Sequence, residues 1–262
     1  MKCDDLIRLL EQEVPLRAAE SWDNSGFLVG DRQKEIKKIM ITLDITNKAA
    51  EKAVKEDVDF ILAHHPVIFS EIKQCTSDHF LQKKLLSLIE HGICCYGMHT
   101  NYDTCRMCQA AAKKLDFLPE APLLEASDQS LREENKGIGM IGSRKEEKSL
   151  GDFAKEIKKA FELASVAVFG DIEMKISRAA IVPGSGRGMA ETALQKGAQV
   201  LVTGDIGHHE GLDALDMGLC VIDAGHYGLE QIFIDHMEEL LKERLPECEW
   251  ITYKAGSPFQ II

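Results

Sequence analysis

No stretch of this 262-residue sequence approaches the run of about 18 apolar residues that a membrane-crossing helix requires, so bilayer insertion is not expected. A basic, then apolar, leader is missing too. Met1-Lys2-Cys3-Asp4-Asp5 opens a charged amphipathic helix instead, and a cytoplasmic location is the expectation. Positive charge is scarce: 31 Lys and Arg face 43 Asp and Glu, for a net charge of −12. That balance excludes non-specific binding to nucleic-acid backbones, which needs a basic surface, and suits cations better. The eight cysteines lack the spacing of a secreted disulfide framework and read as reduced, mostly buried thiols. Cys105-Arg106-Met107-Cys108 has no second pair, which argues against a structural zinc.

What the chain does contain is enough apolar residue, 45%, for a large core. Its apolar runs alternate with helical patterns. Ile39 to Leu43, Val58 to Leu62 and Ile93 to Met98 read as strands separated by helices near 47–56 and 80–90. The same alternation returns at Ala179 to Pro183, Val200 to Thr203 and Leu219 to Ala224. Such alternation implies βαβ units and mostly parallel sheets with helices packed on them. Ile41 and Ile181 are 140 positions apart, as are Phe60 and Val200, which suggests an internal duplication. The fold expected is therefore α/β with two related domains. The polar segment 120–135 sets the boundary: residues 1–125 form the first domain and 126–262 the second.

Candidate chemistry collects where these strands end. Ala63-His64-His65-Pro66 closes one strand with two adjacent imidazoles, and Pro66 holds His65 extended. Each half then carries a histidine followed four places later by a carboxylate, His99-x-x-x-Asp103 and His226-x-x-x-Glu230. On a helix such pairs share a face. Functional groups in open parallel sheets gather beyond the carboxyl ends of strands, so His64, His65, Asp103, His226 and Glu230 are expected to converge between the domains. Three imidazoles and two carboxylates can hold two divalent ions if one carboxylate bridges. Glu230, His99 and His208 are the candidates for moving protons or orienting substrate, with His209 beside them. Gly184-Ser185-Gly186-Arg187-Gly188 follows a strand, as either a phosphate cradle assisted by Arg187 or a plain tight turn. Trp22, next to Asp23 in a turn cluster, is expected to cap the core rather than line a cleft.

Taken together, Ser21-Trp22-Asp23-Asn24-Ser25-Gly26, His64-His65-Pro66, His99-Thr100-Asn101-Tyr102-Asp103 and Gly225-His226-Tyr227-Gly228-Leu229-Glu230 resemble the GTP cyclohydrolase 1 type 2 homologue family, also called Nif-three-like. The resemblance spans nearly the whole chain and includes Pro258-Phe259 near its end. It implies a homohexamer built as a trimer of dimers and a dinuclear centre. In that centre His65 and Asp103 would hold one ion, His64 and His226 the other, and Glu230 would bridge them. His99 is not a ligand in that pattern, so a supporting role is expected for it. A mixture of imidazole and carboxylate ligands admits zinc, iron, manganese or nickel. The family name implies opening of the guanine imidazole ring of GTP by a metal-activated water at C8, with release of formate. Two other readings stay open: hydrolysis of another nucleotide, a phosphoester or a peptide, and a non-catalytic metal-binding or regulatory ring protein.

Overall fold

The computed structural model describes residues 1–261. They divide into two compact units. The first comprises Met1–Tyr102 with Phe233–Gly256, and the second Asp103–Ile232 with the final residues.

The first unit begins with the helix Cys3–Glu13, which buries Cys3, Leu6, Ile7 and Leu10, the i, i+3, i+4, i+7 stripe of an amphipathic helix. Strands β1 (Gly26–Val29), β2 (Lys38–Thr42), β3 (Phe60–Ala63) and β4 (Cys94–Gly97) follow. The crossover β2 to β3 runs through the helix Asn47–Lys55, whose start is capped by the Thr46 side chain accepting from Ala49 N. The crossover β3 to β4 runs through the helix Phe80–Glu90. All four residues of β3 are buried, the pattern of a central parallel strand covered on both faces. Its carboxyl end delivers His64 and His65.

The second unit starts with a wide helical turn, Asp103–Met107, and the helix Cys108–Lys114. Its strands are β5 (Phe117–Glu125), β6 (Gly137–Ser149), β7 (Ala167–Phe169), β8 (Lys175–Ser185), β9 (Val200–Gly204) and β10 (Cys220–Asp223), in the order β5-β6-β8-β9-β10-β7. The short helix His226–Glu230 follows β10. The chain then enters the long helix Ile232–Arg244 and ends its regular structure in β11 (Glu249–Tyr253), which pairs parallel with β2. The first sheet thus has the order β1-β4-β3-β2-β11.

Two expectations are corrected here. The sheets are not both mostly parallel: the first is, apart from β1 against β4, but in the second only β8–β9 and β9–β10 run parallel. There β5, β6 and β8 form an antiparallel ladder that needs no crossover helices. The units also do not divide at 125/126. Segment 117–125 is an edge strand hydrogen-bonded to β6, and a cut there would break that ladder. Gly137 and Gly142 allow it to form, because a Cβ at either would lie 2.0 or 2.1 Å from a β5 carbonyl oxygen. Among the described residues no helix is long and apolar enough to cross a membrane.

Candidate metal centre

In the first unit three imidazoles converge. His64 and His65 leave the end of β3 with their backbone amides donating to Thr42 O and Leu43 O, and His99 follows β4. The ring centroids are 5.0 Å apart for His64–His65, 5.2 Å for His64–His99 and 5.5 Å for His65–His99. Each ring offers one nitrogen to a group whose members all lie within 4.8 Å of one another. Tyr102 and Phe233 pack on His64 at 6.0 and 5.1 Å between centroids, so that ring is fully buried.

The opposite nitrogen of each ring is already engaged. His64 Nδ1 bonds to Met98 O at 2.8 Å, His65 Nδ1 to Asp44 Oδ1 at 2.7 Å and His99 Nδ1 to Asp23 Oδ1 at 2.8 Å. A carbonyl or carboxylate oxygen can only accept, so Nδ1 carries the proton and the lone pair is left on Nε2. This is how metal-binding histidines are oriented and made more basic. Asp23 is itself pinned: Ser25 Oγ and Thr100 Oγ1 both donate to its Oδ2 at 2.6 Å. Burial pushes the Asp23 carboxyl up, but the hydrogen bonds from His99, Ser25 and Thr100 outweigh it and hold the group well below the usual carboxylate range. Trp22 does not cap the core; it is 61% exposed. The chain turns so that the small polar residues after it, rather than the indole, face inward.

In the second unit the donors are Asp103, His226 and Glu230. The helix His226–Glu230 brings the i, i+4 pair together, with His226 Nε2 3.0 Å from Glu230 Oε2. A carboxylate oxygen of Asp103 lies within 4.8 Å of one from the buried Glu230. His226 repeats the pattern of the first unit, its Nδ1 bonded to Asp205 Oδ2 at 2.8 Å. Asp205 stands at the end of β9 with φ +61°, a left-handed conformation. Glycine lets the backbone close in: a Cβ on Gly184 (φ +82°) would sit 2.1 Å from Glu230 Oε1. Gly184 and Gly186 therefore make room for the Glu230 carboxylate and for Thr203. Arg187 donates from Nε to Asp205 O at 3.2 Å, and its side chain is 67% exposed. His208 and His209 are exposed at the start of the helix His208–Asp216 and belong to none of the convergent donor groups among the described residues.

Sequence reasoning missed Asp44 and the orienting role of Asp205. Both follow strand ends, and that position was the available signal. The donor chemistry fits a divalent transition metal, since imidazole nitrogens with their proton on the far side and carboxylate oxygens are ligands for zinc, iron, manganese or nickel.

A family model described as Duf34/NIF3 (NGG1p interacting factor 3) matches residues 1–257. A Clostridium perfringens protein named GTP cyclohydrolase 1 type 2 homolog is 33% identical over 266 aligned positions, covering all of both chains. The crystal structure of Staphylococcus aureus protein SA1388 superimposes with a TM-score of 0.89 at 29% identity, over 100% of this chain and 99% of that one. Reduced HcgD from Methanocaldococcus jannaschii gives a TM-score of 0.82 at 32% identity, over 96% and 97% of the two chains.

Proposed function

Because the chain belongs to the Duf34/NIF3 family, we propose that it is a dinuclear metal-dependent hydrolase, with GTP ring opening as the reaction to test first. In this reading His64, His65, Asp103, His226 and Glu230 would be the ligands; the resemblance would assign His65 and Asp103 to one ion and His64 and His226 to the other, with Glu230 a ligand common to both. The observation that carries it is the locking of Nδ1 on His64, His65 and His226, which leaves Nε2 of each as the ligand atom, while His99 is oriented in the same way without being counted as a ligand. Neither unit alone supplies the mixed donor set: the first offers only imidazoles, the second one imidazole and two carboxylates. The chain leaves the first unit at Tyr102–Asp103 and returns at Ile232–Phe233.

When bound, such a pair of ions supplies Lewis acidity for activating water. The chain's own residues then divide the remaining work. His99, with its Nδ1 proton held by Asp23, is the base able to take a proton at Nε2. Asp44 and Asp205 orient His65 and His226. His208 is assigned a lesser part, at the rim. The assembly proposed is the homohexamer implied by the resemblance, which analytical ultracentrifugation tests directly.

We also propose that the units arose by duplication. Phe60 pairs with Ile39 and Cys94, as Val200 pairs with Ala179 and Cys220. Gly30 and Gly170, both at positive φ, would each place a Cβ 2.5 Å from the sulfur of Cys94 or Cys220.

The test is elemental analysis of purified protein, paired with formate release from GTP under zinc, iron, manganese and nickel. About two ions per chain and formate in step with GTP loss are expected. Protein that takes up none of these metals ends the reading. Metal uptake without formate from GTP, other nucleotides, phosphoesters or peptides favours instead the non-catalytic metal-binding reading. Arg187, the best candidate cation for a triphosphate, is already engaged by Glu210 at 3.7 Å and by Asp205 O at 3.2 Å, which supports that second reading.

A further inference from the structure

Trp22 and Phe69 are large aromatic side chains left open to solvent, 61% and 55% exposed, beside the imidazole group of the first unit. Their ring centroids are 6.2 Å apart with the planes inclined at 55°. Each also lies 6.2 Å from the His99 ring and nearly perpendicular to it, at 77° and 74°. We propose that Trp22 and Phe69 form a stacking site for a flat heteroaromatic base, which would hold a nucleoside against the edge of the metal centre. This rests on the hydrolase reading and narrows its substrate to a molecule with a nucleobase.

The pair is built rather than loosely draped. Trp22 occupies a turn closed by Asp23 N donating to Glu20 O at 3.0 Å, and the next residue is the pinned Asp23. Phe69 follows Ile68, whose carbonyl accepts from Asn24 Nδ2 at 2.6 Å. One side-chain hydrogen bond therefore ties the two loops together and fixes the spacing of the rings. Exposing two anchored aromatic faces forgoes burial of the kind that usually places Trp and Phe in a core, which is reasonable where a ligand supplies the missing contact.

Size favours a small molecule. At these exposures the two side chains offer roughly 250 Å² between them, well short of the ~800 Å² per partner of a stable protein interface. Phe69 also lines an open cavity of about 600 Å³ with polar residues such as Glu71, Lys73 and Gln82, and neither Trp22 nor His99 takes part in it. Aromatic stacking suits any base because every base presents a π face.

The chain has two tryptophans, so Trp250→Phe leaves Trp22 as the sole reporter of its own surroundings. Saturable quenching of its emission by guanosine and by GTP, with none by inorganic triphosphate, is expected. Equilibrium dialysis with guanosine on otherwise wild-type protein provides a readout independent of that variant. There Trp22→Ala and Phe69→Ala should each weaken binding about 5- to 100-fold while metal content stays unchanged. Absence of both quenching and dialysable binding overturns the proposal. So does a Trp22→Ala protein that changes its sedimentation, because the rings would then be covered by a second copy of the chain. Nucleoside binding to protein that takes up no metal would keep the stacking site while removing the hydrolase reading; metal uptake without nucleoside binding would do the reverse.

Discussion

Replacing Asp205 separates backbone strain from ligand orientation at a single position. Four non-glycine residues have positive φ among the described residues: Asp57, Asn135, Glu162 and Asp205. The first three follow the helices Asn47–Lys55, Gln129–Glu133 and Leu150–Ala160, where a left-handed residue is routine. Asp205 follows a strand. Its conformation aims Oδ2 at His226 Nδ1, 2.8 Å away, and its carbonyl at Arg187 Nε, 3.2 Å away. Asp205→Gly removes the strain and should gain up to about 1 kcal/mol of stability from the backbone, less what the lost hydrogen bond contributed. The same variant deletes the acceptor, and loss of such an orienting partner weakens metal binding by roughly 10- to 100-fold. Asp205→Asn keeps both an acceptor and a tolerance for left-handed φ, and should stay within a few-fold of wild type. Asp205→Ala should lose on both counts. Metal affinity measured by competition with a chromophoric chelator, alongside urea unfolding of the metal-free protein, reads the two effects separately. If Asp205→Gly binds metal as tightly as wild type, the claim that this carboxylate orients His226 is wrong.

Glu230→Gln should lower formate release at least 100-fold with the circular dichroism spectrum and sedimentation unchanged; retained turnover would remove Glu230 from the site. Gly184→Ala must displace either the Glu230 carboxylate or the backbone, since the new Cβ would sit 2.1 Å from Oε1 at φ +82°. It should cost about 1 kcal/mol or more in urea unfolding and reduce bound metal as well. For Asp59, burial raises the carboxyl pKa, but Lys34 and the amides of Lys37 and Lys38 outweigh it and leave it lowered. A lowered native pKa contributes stability above the unfolded value, near 3.9, that is lost as the pH falls through the native one. The stability difference between wild type and Asp59→Asn should therefore be full at pH 7 and shrink below about pH 4; a gap constant down to pH 2 would refute the coupling.

The parts of the fold readable in the sequence were those with a strong period or a dense apolar run. Phe60–Ala63 and Val200–Gly204 are buried throughout, and their sequences carry little but apolar residues. The four-residue spacing of His226 and Glu230 suited a helix after β10 without requiring one, and a short helix does form there. Strand β5 was not readable, because an edge strand with Pro119 and Pro122 and several exposed residues looks like a polar linker. The return of β11 to the first sheet was equally hidden: a five-residue strand does not state its partner. At the site, His64 and His65 stood out by being adjacent, whereas Asp44 and Asp205 are single carboxylates among 43 acidic residues and act only through geometry. Trp22 was misjudged because a tryptophan beside a turn ordinarily buries its indole.

The parallel pairing of β11 with β2 has a bearing on how the protein is made. Residues 38–42 and 249–253 pair in one sheet, so a ribosome emits everything from 103 to 232 before the strand that completes the first sheet is available. Until then β2 presents an unpaired edge that includes the fully buried Met40 and Ile41, and a nascent or C-terminally clipped chain carries that sticky border into the cell. Loss of the last dozen or so residues should therefore show itself as insolubility before it shows itself as altered chemistry.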